Sequence, residues 1–366
     1  MSRAKSRGSS FPEVRLLVTG GAGFVGANLS VGLARRHPDW EIVAFDNLHR
    51  RGSELNVARL HEAGVTFVHG DVRLLSELTP LGPVDAIVDC SAEPSVMAGV
   101  DGSPGYLVET NLVGAYHCLE LARRDDAQLV FLSTSRVYPI ARLGGLALRE
   151  TETRFELEAE QPVPGASAAG IGEAFPLDGP RTLYGATKLA AEHLIAEYGA
   201  AYGLPTVVNR CGVIAGPWQM GKADQGVFSH WMLSHYFGRE LAYIGYGGTG
   251  KQVRDLLHVD DLLELVEEQL ALPGHWAGCT FNVGGGREGS LSLAEATALC
   301  RELTGNDVAV AAAPEGRVGD VPLYLSDCSA LYAHTSWRPR HGPRAVMSDT
   351  LAWIEDHRDA LARVLP

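Results

Sequence analysis

Thr19-Gly20-Gly21-Ala22-Gly23-Phe24-Val25-Gly26 is the stretch that decides the fold. Residues 14–19 before and into it are short, apolar and rich in β-branched side chains, the pattern of a buried strand. The segment after it reads as helix to about residue 36. Glycines between a strand and a helix permit a tight turn and close approach of backbone to a pyrophosphate, which then lies at the positive end of the helix. Gly20, Gly23 and Gly26 make a G-x-x-G-x-x-G variant of the dinucleotide fingerprint, and Phe24 and Val25 inside it are candidate cofactor contacts.

Working outward, residues 41–45 form a second strand that ends at Asp46. An acid at this distance accepts hydrogen bonds from adenosine ribose hydroxyls and repels a 2′-phosphate, so the cofactor expected is NAD rather than NADP. Asn47 stands beside it; Arg50 and Arg51 just beyond, which could oppose that preference, read as a solvated face. Further strands are expected at 66–68, closed by Gly70-Asp71, and at 84–89, 128–132 and 206–209. Asp71 and Val72 fall where an adenine edge would lie, and Ala92 follows the fourth strand. Helical patterns at 107–124 and 184–202 lie between strands.

Strand and helix in alternation call for a parallel sheet covered on both faces. The fold class is therefore α/β: a Rossmann-type doubly wound parallel sheet with a smaller C-terminal substrate-binding lobe. The organisation expected is a disordered tail at 1–12, an NAD-binding domain at 13–212 with a segment crossing back near 254–285, and a mainly substrate-binding lobe at 213–366. Residues 140–180, rich in Gly, Pro and Glu, form a long excursion beside the 184–202 helix, where a functional loop is expected.

The reactive chemistry is carried by Tyr184 and Lys188 in Thr182-Leu-Tyr-Gly-Ala-Thr-Lys188. Residues four apart share a helix face, and an ammonium beside a phenol favours the phenolate. The expectation is a Tyr184 pKa drawn down from about 10 towards neutrality, giving a base able to deprotonate a sugar hydroxyl. Ser133-Thr134 end the fifth strand on the side where ligands bind in such sheets, so Thr134 completes a Thr/Tyr/Lys set.

Composition narrows the alternatives. In 366 residues the net charge is −13, which argues against a nucleic-acid groove or a membrane-surface role. No apolar run is long enough to span a bilayer. Six scattered cysteines without C-x-x-C pairing fit reduced thiols in a cytoplasmic protein. His230 and His235 flank Trp231 without a ligand cluster around them, so no metal is expected and they read as lobe packing or substrate contacts.

With the fingerprint and the Thr134/Tyr184/Lys188 set together, the chain resembles the extended short-chain dehydrogenase/reductase family from about Val14 to Trp353, and within it the nucleotide-sugar epimerases. The branch it is most similar to is that of the CDP-paratose (CDP-tyvelose) 2-epimerases. The strings carrying that likeness are Phe45-Asp-Asn-Leu-His-Arg-Arg-Gly52, Glu150-Thr-Glu-Thr-Arg-Phe155, Asp224-Gln-Gly226, Lys251-Gln-Val-Arg-Asp-Leu-Leu-His258, Phe281-Asn-Val-Gly-Gly285 and the 140–180 excursion. The resemblance implies that Tyr184 is the acid/base, that Lys188 holds the nicotinamide ribose while lowering the Tyr pKa, that Thr134 hydrogen-bonds the reacting hydroxyl and that Asn111 supports the site. It implies that Gln225 touches the substrate and that Arg254 and Arg317 anchor the diphosphate of a nucleotide sugar, each having the alternative of a structural ion pair with Asp255 or Asp320. It also implies a homodimer formed by the helices at 107–124 and 184–202.

The reaction implied is epimerisation by transient oxidation, at C2 of a CDP-sugar or, as the alternative, at C4 of a UDP-sugar. A sensing protein on an enzyme fold is the non-catalytic rival, and the intact Thr/Tyr/Lys set argues against it. The chain also departs from its relatives. Ser135 and Arg136 stand where 4,6-dehydratases carry Asp-Glu and decarboxylases a Glu at the second place, which disfavours elimination and decarboxylation. Val213 and Pro139 replace residues usual near the sugar.

Overall fold

A computed structural model describes residues 14–222, 225–317 and 319–364; the tail expected at 1–12 lies outside them. Strands β1 (Arg15–Thr19), β2 (Glu41–Asp46), β3 (Thr66–His69), β4 (Ala86–Asp89), β5 (Gln128–Thr134) and β6 (Thr206–Cys211) come first in the chain. They are followed by β7 (Val213–Ala215), β8 (Val253–His258), β9 (Cys279–Val283), β10 (Ser290–Ser292) and β11 (Leu323–Tyr324). The central sheet is seven-stranded and parallel, in the order β9-β6-β5-β4-β1-β2-β3. The direction of winding reverses between β1 and β4, the switch point at which such sheets bind ligands. Register aligns the carboxyl ends there: Thr19 pairs with Phe45 and Asp89, and Thr134 with Cys211.

The helices that position the site are α1 (Phe24–Arg36), α2 (Gly114–Asp125), α3 (Leu183–Tyr202), α4 (Val227–Phe237), α5 (Val259–Ala271), α6 (Leu293–Thr304) and α7 (Pro343–Asp356). Side chains alternate across each strand, so Leu16 and Val18 bury against Leu29 of α1 and Leu262 of α5, whereas Leu17 buries on the opposite face with Leu119 of α2 and Ile195 of α3. Both sheet faces are therefore covered, which explains why these strands read as continuous apolar runs. A Cβ on Gly32 would stand 2.3 Å from Leu263, so glycine lets α1 and α5 meet closely.

Helix α3 starts as its sequence dictates. The Thr182 side chain accepts the Gly185 N–H at 3.2 Å as an N-cap, and the helix stops at Gly203, left-handed at φ 71°. The helix expected at 107–124 is not uniform. It opens with a turn at Gly105–Val108, widens into a π-helical segment at Glu109–Val113, and only then continues as α2. Such bulges recur at functional sites, and this one holds Asn111.

The remaining strands β7, β8, β10 and β11 form a second sheet. Beside it, Phe228 and Trp231 of α4, Cys300 of α6 and Met347 and Trp353 of α7 build a separate core. The excursion at 140–180 carries two small antiparallel pairs rather than a structureless loop. Its Leu143, Ile171 and Phe175 pack with Val253 and Leu323 of the second sheet.

Candidate active site

A cleft of about 1000 Å³ runs from the glycine-rich turn to the second sheet. Gly20, Gly23, Phe24, Val25 and Gly26 line its first end. Two of the glycines are sterically required: a Cβ on Gly20 (φ 62°) would lie 2.8 Å from the Cys90 carbonyl oxygen, and one on Gly26 would lie 2.2 Å from that of Gly20. Gly23 is the N-cap of α1 and no side chain caps the helix, so its first N–H groups remain available to an anion.

Asp46 also lines the cleft, half-buried, with Oδ1 accepting the Leu48 N–H at 2.7 Å and Oδ2 the Ala22 N–H at 3.1 Å. Burial raises its pKa, and these backbone donors oppose the rise. Each carboxylate oxygen keeps a lone pair for a ribose hydroxyl. Asn47, Val72 and Ala92 line the cleft too, whereas Asp71 lies behind Asn47. Its Oδ2 accepts from Asn47 at 3.0 Å and from Arg73 at 2.7 Å, and these bonds outweigh burial and hold the carboxyl at about 2. Arg50 corrects the reading of a solvated face. Its guanidinium lines the cleft, donates to the Met220 carbonyl at 2.8 Å and hydrogen-bonds Gln225. Arg51 is exposed and donates to the Arg363 carbonyl at 3.2 Å.

Midway along, Ser133, Thr134 and Tyr184 share the wall. The Thr134 hydroxyl accepts the Arg136 N–H at 3.1 Å and interacts with the Tyr184 phenol. Lys188 is buried beneath, its ammonium 3.9 Å from the centre of the Phe131 ring. Asn111 also lies behind the wall. Its Oδ1 accepts the Glu93 N–H at 2.7 Å, and its Nδ2 donates to the Glu93 carbonyl at 3.1 Å and to Thr187 Oγ1 at 3.2 Å.

The Tyr184 pKa runs opposite to the expectation. Burial pushes the phenol up to about 12, with Thr134 and Arg136 pulling down against it. Burial likewise lowers the Lys188 ammonium, with Asp89 opposing. Helical spacing brought the two residues to one region, but burial disfavours the charged form of each and outweighs the neighbours that favour it.

Ser133 leads into a buried network that single-residue reasoning missed. Its hydroxyl donates to Glu192, which also takes the Arg210 Nη2–H at 2.7 Å. Arg210 Nη1 donates to the Tyr138 oxygen at 3.3 Å, and the Tyr138 O–H donates to Asn282 Oδ1 at 2.7 Å. Asn282 in turn donates to the Ile171 carbonyl at 2.8 Å and, through its backbone N–H, to Glu173 at 2.6 Å. The wall of the cleft is thus tied to the excursion.

Gln225, Arg254 and Arg317 line the far end. Arg254 pairs with Asp320 at 2.6 Å and donates to the Val253 and Val321 carbonyls, so the ion pair left open as an alternative is formed. Asp255 pairs with neither arginine; it is buried, with Oδ2 accepting from Ser326 and Gly286. Two further lining residues, Glu93 and Arg136, were not singled out as contacts. A charged residue in the turn two places after a reactive strand end is the signal that points to Arg136. Of the two histidines, His230 lines the cleft and His235 is buried, facing the Trp231 carbonyl at 2.9 Å.

Among the described residues no three His, Cys, Asp or Glu side chains gather as a metal set, and no helix is long and apolar enough to cross a membrane. All six cysteines are free thiols.

Fold and cleft together define a dinucleotide-binding α/β protein in which Thr134 and Tyr184 line the same cleft as the glycine-rich turn. Residues 16–284 match the NAD dependent epimerase/dehydratase family, and the chain belongs to that family, with NAD as its cofactor. It is 30% identical to a CDP-paratose 2-epimerase of Salmonella typhi over 93% of this chain and 99% of the relative. It is 28% identical to a dTDP-glucose 4,6-dehydratase of Mycobacterium tuberculosis over 94% of each. Among solved structures it resembles the UDP-glucose 4-epimerase of Thermus thermophilus in complex with NAD, with TM-score 0.73 and 28% identity over 93% of this chain and 99% of that one.

Proposed function

We propose that the chain is an NAD-dependent nucleotide-sugar epimerase acting at C2 of a CDP-sugar. The observation that carries the reading is the shared wall of Thr134 and Tyr184, followed by Ser135 and Arg136. A guanidinium stays protonated at neutral pH, so Arg136 cannot serve as the acid and base of an elimination. Likeness to the Salmonella typhi 2-epimerase supports C2; likeness to the Thermus thermophilus 4-epimerase supports the second reading, C4 of a UDP-sugar.

In this reading Gly20, Gly23 and Gly26 admit the pyrophosphate and Asp46 takes the adenosine ribose hydroxyls. Asn47, Val72, Ala92 and Ser133 line the rest of the cofactor's path, and Lys188 reaches the nicotinamide ribose from beneath. Bound there, NAD would supply the hydride acceptor for the oxidation and, once reduced, the hydride donor for the return to the opposite face. Thr134 orients the ring hydroxyl and Tyr184 takes its proton, then gives it back when the ketone is reduced. Gln225, Arg254 and Arg317 hold the nucleotide diphosphate while the keto-sugar turns about its bond to it.

Exposed Tyr116 on α2 and Leu183 and Tyr202 on α3 support a homodimer through those helices, and six free thiols support a reducing cytoplasm.

Incubation with CDP-, UDP-, GDP- and dTDP-sugars identifies the nucleotide. The active sugar carrying deuterium at C2 or, separately, at C4 then locates the reaction. A C2 epimerase inverts the labelled C2 and keeps its deuterium; inversion at C4 with C2 unchanged overturns the C2 assignment. Net NADH accumulation with sugar oxidation would replace the epimerase by a dehydrogenase.

A further inference from the structure

Tyr184 is approached from four directions. Lys188 lies on its own helix, Thr134 and Arg136 come from the end of β5, Cys211 from β6, and Glu93 from the loop after β4. Lys188 stands over Phe131 in a buried neighbourhood with Asp89, Cys90, Glu192 and Cys211. Of these groups, Arg136 alone is both cationic and part of the cleft wall.

Its position is set by backbone as well as side chain. The Arg136 N–H is bound to Thr134 Oγ1, and its Nη1 donates to the Gly319 carbonyl at 2.9 Å. The Arg136 carbonyl presses against the first turn of α3 so closely that a Cβ on Gly185 would stand 2.0 Å from its oxygen. Glycine directly after Tyr184 is therefore what lets the Arg136 turn seat beside it. The charged groups around the guanidinium are Arg254 and Asp320, with Tyr184 and Tyr246, and the Asp320 carboxylate is already taken by Arg254 at 2.6 Å. Among the described residues no carboxylate lies within ion-pair distance of Arg136 itself.

A half-buried cation with no carboxylate paired directly to it, next to a phenol that must ionise, is an electrostatic device. We propose that Arg136 is a positioning residue for the reaction: its guanidinium stabilises the Tyr184 phenolate from the cleft side and so sets the pH at which that base works. The inference rests on Tyr184 being the acid/base. The proton balance is closed, because Tyr184 accepts the sugar hydroxyl proton and returns it in the reverse half of the cycle, while Arg136, its pKa lowered by burial and by Arg254 to about 10, stays protonated at the neutral pH of turnover.

The test reads Tyr184 directly. Protein with NAD added is titrated with base and followed by near-ultraviolet tyrosinate absorbance, and subtracting the Tyr184→Phe curve isolates the one phenol. Arg136→Gln, paired with its own Tyr184→Phe double variant, should move that midpoint up by about one pH unit. Arg136→Met, apolar and of similar reach, is the second neutral variant and should do the same. Arg136→Lys, which keeps the charge, should return the midpoint close to that of the parent. An unmoved midpoint in both neutral variants overturns the proposal. A rise in KM for the converted nucleotide sugar with that midpoint unmoved would instead assign Arg136 to an anionic group of the substrate. Undiminished turnover by Tyr184→Phe alone is a different failure, that of the acid/base reading.

Discussion

The Ser133 hydroxyl and the Glu192 carboxylate form a buried hydrogen bond that joins the end of β5 to the third turn of α3. Glu192 lies eight residues after Tyr184 and is also the ion-pair partner of Arg210, their side chains 6% and 8% exposed. Breaking one partner of a buried pair leaves the other charge uncompensated. Glu192→Ala should destabilise the protein by roughly 3–5 kcal/mol in denaturant unfolding. A loss below about 1 kcal/mol would mean that Arg210 finds another counter-charge or water.

Tyr184→Phe removes one ionisable oxygen and leaves the helix intact. Turnover of the active nucleotide sugar should fall by roughly 10²–10⁴-fold, while NAD is still released on denaturing the purified protein. Lys188→Ala should lower both turnover and NAD content, because that side chain underlies the cofactor end of the wall. Full activity in the Tyr184→Phe protein would place the proton transfer elsewhere.

Gly26→Ala tests the turn. An added Cβ would lie 2.2 Å from the Gly20 carbonyl oxygen and 2.8 Å from its carbon, both backbone atoms that cannot rotate aside. The variant should purify without NAD and with a lower melting temperature. Equal NAD content in variant and parent would show that the turn relaxes at no cost to binding.

Asp255 makes a pH prediction. Burial pushes its carboxyl up to about 6, against the hydrogen bonds from Ser326 and Gly286. The folded pKa lies above the unfolded one, so the protonated group favours folding fully below about 4, and that contribution is lost as pH rises through about 6. Relative to Asp255→Asn, which cannot ionise, the parent should lose stability between those two pH values. Parallel stability curves for the two proteins across that interval would contradict the assignment.

What was legible in the chain follows the range of the forces involved. The β1–turn–α1 unit could be read because its strand period, its glycines and its helix start are local. Asp46 could be placed because a fixed spacing carries it to the end of β2. The π-helical widening at Glu109–Val113 left no mark, since the apolar period of the surrounding helix runs through it. Strand β9 falls within the segment expected to cross back near 254–285, but with Thr280 and Asn282 among its residues its pattern is too mixed to mark a buried strand. The hairpins of the excursion were hidden for a related reason: their apolar side chains pack against Val253 and Leu323, far along the chain. The Tyr184 pKa went the wrong way because spacing reports neighbours, whereas desolvation depends on everything packed around a group.

The late arrival of β9 bears on how the protein can be made. A chain still emerging from the ribosome already contains the glycine turn, Tyr184 and Lys188 once β6 is complete. Yet β6 then has β5 on one side and an open row of backbone donors and acceptors on the other. Residues 212–278 must be synthesised before Cys279–Val283 can close that edge. The half of the molecule that holds the cofactor thus cannot close before part of the second lobe has been made, and a fragment ending after β6 would be a sticky, unfinished sheet rather than a portable nucleotide-binding module.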